Sequence, residues 1–259
     1  MFEVAEAYEQ MMGRWSRQLA PLFLEFVSVR DGDKVLDIGC GTGSLSATLA
    51  RVTGASKIVG IDPSNGFIEY ARTQVVDPRV SFEVADAQNL PFPDNSFDRA
   101  MDLLVINFIP DAPKAAKEAR RVTKPGGVLA TANWDLSHAN QLNGCLWDAA
   151  MAIDPTVKRP AGRAASYNSA EALSDLLKSA GLTAIEVTDL TMPCQFASFD
   201  ELWARYLSGE AAGGAYVVSL KDDHREALRK RLQQDVLRGA ADGPFTLQAK
   251  AWAARGIVL

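Results

Sequence analysis

At 259 residues the chain is long enough for one large α/β domain, or one domain with a smaller cap, around a sizeable core. With 47% hydrophobic and 23% charged residues its composition is that of an ordinary soluble protein, which argues against disorder and a membrane class. The formal net charge of -5 gives no general attraction to a polyanion, so nucleic acid is not expected as a partner. Three cysteines without a C-x-x-C pair and two histidines argue against a zinc site, and a reducing cytoplasm suits that usage. Glu3, Glu6 and Glu9 stand where an export signal would be basic, and no run of about eighteen apolar residues suggests a membrane span.

In chain order, Tyr8, Met11, Met12, Trp15, Leu19, Leu22, Phe23 and Phe26 recur at helical steps and predict one or two amphipathic helices. From Val35 strands and helices alternate: strand 35–38, helix 44–52, strand 57–61, helix 64–75, strand 80–84, strand 98–104, helix 112–122 and strand 128–133. Pro63 suits the first turn of the second of these helices, and Lys124-Pro125-Gly126-Gly127 reads as a turn feeding the next strand. The rhythm then fails over 134–167, an expected insertion with a short helix near 142–151. Helix 169–180, strand 182–190, helix 199–208, a glycine-rich stretch 209–214, helix 221–238 and a last strand 245–258 follow, with 191–244 as an expected substrate cap.

The most informative segment is Val35-Leu36-Asp37-Ile38-Gly39-Cys40-Gly41-Thr42-Gly43, a buried strand opening into a glycine turn. Glycine permits unusual dihedrals and close ligand approach, and in a doubly wound sheet this turn lies at the carboxyl end of the first strand. The spacing is G-x-G-x-G; a dinucleotide fingerprint would place its third glycine at position 44, which is Ser44. Asp62 ends the second strand nineteen residues after Gly43, where a carboxylate can accept from both hydroxyls of a ribose or cap the following helix.

The segment VLDIGCGTG, with four further segments in order over roughly half the chain, resembles the class I S-adenosylmethionine-dependent methyltransferases. LPFPDNSFD and KPGG make it similar to the ubiquinone and menaquinone biosynthesis group, of small-molecule type. The resemblance implies a Rossmann-like, doubly wound, seven-stranded and mostly parallel sheet whose last strand is antiparallel. It also implies one methyltransferase domain over 1–259, with a helical lid at 1–30 and a cofactor-binding core at 31–133. S-adenosylmethionine is the implied cofactor and S-adenosylhomocysteine the product.

By the same resemblance, Asp37 and the loop at Gly39, Cys40 and Gly41 hold the methionine moiety, Asp62 and Pro63 lie at the ribose, and Asp86 and Ala87 face adenine. Leu103 and Leu104 contact the cofactor through backbone, and Tyr8 and Arg14 belong to the lid, with Met12 and Trp15 beside them. Leu103 and Phe108 depart from the pattern, because related small-molecule enzymes often carry a polar residue and a histidine pair there. His138 follows the fifth strand and is a candidate base, or an inert loop histidine. Asn107, Trp134, Trp147, Trp203 and Tyr206 are candidates to wall an apolar or aromatic acceptor pocket, although the aromatics could equally pack a cap.

The expected reaction is transfer of a methyl group to an oxygen, nitrogen or carbon of a small molecule. A dinucleotide-dependent oxidoreductase is an alternative served by the same strand, turn and acid, with Ser44 and the Asp86 segment against it. A non-catalytic protein that binds S-adenosylmethionine is a second, suggested by Leu103 and Phe108.

Overall fold

The computed structural model describes residues 13–136, 140–159, 166–209 and 211–259. The candidate residues Tyr8 and His138 lie outside them. In chain order the elements are α1 (Arg14–Val27), β1 (Lys34–Ile38), α2 (Ser44–Val52), β2 (Lys57–Asp62), α3 (Asn65–Gln74), β3 (Val80–Val84), β4 (Phe97–Leu103) and a 3₁₀ turn at Ile106–Phe108. They continue with α4 (Ala112–Val122), β5 (Thr123–Trp134), α5 (Gln141–Ile153), α6 (Ala170–Ser179) and β6 (Thr183–Phe196). The chain ends with α7 (Phe199–Leu207), α8 (Ala211–Ser219), α9 (Asp222–Leu237) and β7 (Phe245–Ile257).

The seven strands form one sheet in the order β3-β2-β1-β4-β5-β7-β6. β1 pairs in parallel with β2 and β4, β2 with β3 and β4 with β5, so these five strands end on the same edge. As expected, β7 runs antiparallel; it pairs with β5 and has β6 as its other neighbour. The order reverses between β1 and β4, and a doubly wound sheet opens its binding crevice at such a reversal.

Helix α1 buries Trp15, Leu19, Phe23 and Val27, so this part of the aromatic stripe belongs to the core. In α4, Ala112, Ala115, Ala116 and Ala119 face the sheet, and their small side chains let the helix lie close to β4 and β5. Local signals also set the helix starts. The Ser64 side chain accepts from Phe67 N and Asp111 from Lys114 N, each satisfying a first-turn donor. Pro63 thus precedes the cap of α3 and lies outside the helix, two residues before its first helical position at Asn65.

Three elements differ from the sequence reading. Thr123 already pairs with Phe97, and the ladder resumes at Arg99 opposite Val128, so Lys124–Gly127 loop out of a strand that has begun. β6 continues past Leu190 to Phe196 through Pro193, and a strand at the end of a sheet is where proline is tolerated. The glycine-rich stretch begins a helix, α8. A Cβ on Gly214 would stand 2.8 Å from the Gly209 carbonyl carbon, so glycine permits that close passage.

The described residues fall into two compact units. One takes those within Met1–Trp134, Ser166–Leu190 and Ala251–Leu259; the other takes those within Asp135–Ala165 and Thr191–Lys250. The second unit is built on α5, α7, α8 and α9, with Leu142, Leu146, Phe199, Leu202, Val217 and Leu232 buried. No described helix is long and apolar enough to cross a membrane.

Candidate cofactor and acceptor site

Because β1 to β5 all run parallel, the segments that follow them gather on one edge of the first unit. At β1, Gly39 and Gly41 take φ of 68° and 53°, left-handed values that an L side chain rarely adopts. A Cβ on Gly39 would collide with the Val105 side chain, whereas one on Gly41 would meet nothing within 4 Å. The turn is therefore closed on the Val105 side and open at Gly41. Cys40 is buried, and burial raises its thiol pKa well above the usual value.

Asp62 ties this turn to β2. One carboxylate oxygen accepts from Gly41 N at 3.1 Å and the other from Ser64 N at 2.8 Å. A carboxylate has about four acceptor sites, so each oxygen keeps a lone pair for a further donor. Burial raises its pKa, against the lowering effect of these two backbone donors.

Asp37 is 1% exposed and accepts from Ser46 Oγ of α2 at 2.6 Å. Burial raises its pKa to about 7, so its charge is poised to respond to a nearby cation. Asp102, on β4, is a second buried acid at about 7, again chiefly through burial. Thr131 Oγ1 donates to it at 3.0 Å.

Asp86 is exposed and folds into a local turn, accepting from Gln88 N at 2.8 Å and from the Gln88 side chain, which lowers its pKa. Ala87 beside it is 9% exposed. The rest of that loop hangs on α4. Glu118 accepts from Leu90 N at 2.9 Å, and Arg121 donates to Leu90 O at 3.0 Å, Phe92 O at 2.8 Å and the Asp94 carboxylate at 2.7 Å. LPFPDNSFD is thus held by an Arg–Glu pair 27 to 31 residues further along the chain, a partnership that sequence spacing gives no hint of.

After β4, Leu103 is half-buried, and Leu104 is buried with φ of 67° and donates its N–H to Ala132 O at 2.7 Å. Phe108 is 66% exposed. Asn107 is spent within the protein. Its amide donates to Asn168 Oδ1 at 2.9 Å and accepts from Tyr167 N at 3.1 Å. Asn133 Nδ2 donates to Tyr167 O at 3.1 Å and Asn168 Nδ2 to Trp134 O at 2.5 Å, so three asparagines clasp the end of β5 to the approach of α6.

Trp134 is buried and its indole N–H has no partner among the described residues. Arg14 lies over the Trp15 ring at 4.0 Å. Trp147, Trp203 and Tyr206 belong to the second unit. There Trp147 packs on Tyr216 at 5.1 Å, Trp203 on Phe199 and Tyr206, and the Tyr206 hydroxyl lies 3.6 Å from Cys145 Sγ. These three residues help form that unit's aromatic packing.

No cluster of His, Cys, Asp and Glu that could hold a metal occurs among the described residues. The first unit thus presents a glycine turn at a sheet reversal, a strand-end acid beside it and an apolar rim after β4. That is the architecture of a nucleoside-cofactor enzyme of the doubly wound α/β class.

Comparison with known proteins carries the identification further. A methyltransferase-domain family model matches residues 36–131. The methyltransferase GfsG of Streptomyces halstedii is 36% identical over 209 residues, 77% of this chain and 69% of that protein. The 2-methyl-6-phytyl-1,4-hydroquinone methyltransferase of Synechocystis is 34% identical over 178 residues, 66% of this chain and 54% of that protein. The chain spans little more than half of the second relative's length, and about two thirds of the first. In fold it is similar to the crystal structure of the YcgJ protein of Bacillus subtilis, with a TM-score of 0.58, 21% identity and coverage of 93% of this chain and 97% of that one.

The chain belongs to the S-adenosylmethionine-dependent methyltransferase family. It shares that membership with quinone-methylating enzymes, as the LPFPDNSFD and KPGG segments implied.

Proposed function

We propose that this enzyme methylates a small, largely apolar acceptor, with the cofactor seated on the Gly39–Gly41 turn. The observation that carries the reading is the Asp62 bond to Gly41 N at 3.1 Å, which joins the glycine turn and the strand-end acid into one cradle. The residues fit a nucleoside cofactor. Space is open at Gly41, both Asp62 oxygens keep acceptor capacity for ribose hydroxyls, and the buried Asp37 is assigned to the cationic ammonium. Ala87 and the exposed Asp86 are assigned to the adenine side, and Leu103 and Leu104 to the cofactor's edge through their backbone.

S-adenosylmethionine supplies a methyl group on a sulfonium, ready for in-line displacement. The protein's part is to align the acceptor and exclude water, and the half-buried Leu103 with the exposed Phe108 favours an apolar or aromatic one. The curated relatives include enzymes named for a hydroquinone, a demethylmenaquinone and a sterol, which supports that class. Trp134, with its unpartnered indole N–H, is assigned to the acceptor side, and His138 is the candidate base. The segment 191–244 is assigned as the substrate cap and the cytoplasm as the location.

Calorimetric titration with S-adenosylmethionine, S-adenosylhomocysteine, NAD and NADP tests the cofactor assignment. Binding of the two adenosyl ligands alone is expected, and nicotinamide binding alone would overturn it. Turnover on a panel of hydroquinones, phenols and aliphatic alcohols then tests the acceptor class. Cofactor binding with no turnover on any of them would favour the non-catalytic reading, for which Phe108 and Leu103 in place of polar residues is the supporting observation.

A further inference from the structure

Tyr167 stands in the turn before α6, and side-chain amides fix its backbone on both sides. Its N–H donates to Asn107 Oδ1 at 3.1 Å, and its carbonyl accepts from Asn133 Nδ2, also at 3.1 Å. Asn107 lies in the 3₁₀ turn after β4 and Asn133 one residue before the end of β5, so the tyrosine is tied to the carboxyl ends of two neighbouring strands. Asn168 extends the tie: its Oδ1 accepts from Asn107 Nδ2 at 2.9 Å, and its Nδ2 donates to the Trp134 carbonyl. Turn backbone is commonly satisfied by local bonds or by water. Here four bonds reach across 34 to 61 residues and require three side chains to be ordered, which is a cost in entropy.

The Tyr167 ring is half-buried and packs on the apolar cluster that the sheet shares with α4 and α6. Tyrosine has only two side-chain torsions, so a fixed backbone and a packed ring leave the hydroxyl little freedom. That hydroxyl has no hydrogen-bond partner among the described residues. Phenylalanine would fill the same space, so packing accounts for the ring and not for the oxygen. Its place on the sheet supplies a use. The segments after β1, β2 and β3 and the backbone just after β4 are assigned to the cofactor, which leaves an acceptor on the same edge the ends of β4 and β5. Those are the two ends that hold Tyr167.

We infer that Tyr167 is an acceptor-binding residue whose hydroxyl bonds a hydroxyl group on an otherwise apolar acceptor, with Asn107 and Asn133 as positioning residues that hold its backbone. This role rests on the small-molecule methyltransferase reading and deepens it, since an apolar rim alone does not select a hydroxylated ring over a plain hydrocarbon. A tyrosine oxygen both donates and accepts, so it can receive the acceptor's O–H and orient that group beside the methyl donor. No proton changes hands in that bond.

The test is calorimetric titration of methylhydroquinone into the whole protein saturated with S-adenosylhomocysteine, for wild type, Y167F, N107A and Y167F/N107A, with a thermal melt of each. Y167F removes one neutral hydrogen bond to the ligand and is expected to bind methylhydroquinone about fivefold more weakly. Its affinity for S-adenosylhomocysteine should be unchanged and its melting temperature should stay within about 1 °C of wild type, because the hydroxyl has no bond in the protein to lose. N107A is expected to melt lower and to weaken methylhydroquinone about fivefold, and the double variant little more than either single one, because Asn107 acts through the tyrosine. Toluene, a ring without hydroxyls, should bind wild type and Y167F alike. In turnover of methylhydroquinone, Y167F should raise KM for the acceptor more than it lowers kcat and leave KM for the cofactor unchanged.

Y167F binding methylhydroquinone as tightly as wild type would overturn the role. So would a lower melting temperature in Y167F, which would mean that the hydroxyl is bonded within the protein, or losses that multiply in the double variant. If N107A fails to fold, Y167F with methylhydroquinone and toluene decides alone. Wild type that binds S-adenosylhomocysteine but no methylhydroquinone would overturn the hydroxylated acceptor, and this role with it, while leaving the cofactor reading in place. Wild type that binds no S-adenosylhomocysteine would overturn the cofactor reading itself.

Discussion

Replacing Asp37 by asparagine is expected to stabilise the protein at pH 8 and not at pH 5. Burial raises the Asp37 pKa from 3.8 to about 7, so the folded protein holds a proton that an unfolded chain would release. Between about pH 4 and 7 the folded state binds more protons than the unfolded one, and stability falls as pH rises through that window. A shift of about three units, at 1.36 kcal/mol each, makes the ionised carboxyl cost on the order of 4 kcal/mol above pH 7. Asparagine removes that cost and keeps an oxygen for Ser46 Oγ, which donates to Asp37 at 2.6 Å. Its amide needs a partner of its own, at about 1–2 kcal/mol. The expected net effect is a gain of about 2 kcal/mol at pH 8 and a loss of about 1 kcal/mol at pH 5, where the wild-type carboxyl is already neutral. Asp37 contributes to the raised pKa of Asp102, so the two acids titrate as a pair and D37N should lower the pKa of the survivor. Denaturant unfolding at both pH values, without cofactor, measures the difference. An equal loss at pH 5 and pH 8 would refute the reasoning, because it would mean that the folded protein holds Asp37 ionised and paired. Cofactor affinity should move oppositely: an ammonium favours ionised Asp37, so wild-type affinity should rise from pH 6 to 8 and the rise should be absent in D37N.

The glycine turn allows stability and binding to be separated. Ala at 41 has open space, so G41A should cost only about 1–2 kcal/mol in a melt through its φ of 53°, yet lower cofactor affinity more than tenfold in a titration. Ala at 39 meets Val105, so G39A should cost about 2–4 kcal/mol in the same melt, and a smaller loss than in G41A would mean that Val105 yields easily. Asp62→Ala should weaken S-adenosylmethionine by about 1.5–3 kcal/mol through loss of charge-assisted hydrogen bonds, and unchanged affinity in a folded protein would remove the ribose assignment. Arg121→Gln leaves the Leu90 and Phe92 carbonyls without their donors and should lower stability by about 1–2 kcal/mol, read as a drop in melting temperature.

The alternation of strand and helix from Val35 to Val122 was legible because each element carries its own period and its own punctuation. Ser64, Asp111 and Ser169 cap helices through bonds that span three residues, a range over which sequence spacing is informative. Where the structure departed from expectation, the deciding contact was distant. Gly213 and Gly214 read as loop, yet α8 forms there, with Gly213 facing Leu146 and Tyr206 and Gly214 facing the Gly209 backbone. The expected strand stops at Leu190, yet β6 runs on through Pro193 to Phe196 at the end of the sheet, a place that only the finished strand order defines.

The candidate site divides along the same line. That Gly39, Asp62, Asp86 and Leu103 follow strands destined for one edge can be read from alternation alone, since parallel strands must end together. What each side chain binds cannot. Asn107 was a candidate for the acceptor, and its amide is engaged with Tyr167 and Asn168 about sixty residues away. Asp102 was passed over inside an apolar strand, although an acid between Met101 and Leu103 violates the pattern around it. Burying a carboxyl in a sheet costs enough that it calls for a specific donor, and for Asp102 the Thr131 hydroxyl on the neighbouring strand supplies one at 3.0 Å. The residues worth questioning in such a sequence are therefore the polar ones that interrupt a core strand, since each marks a place where the fold must supply a polar partner.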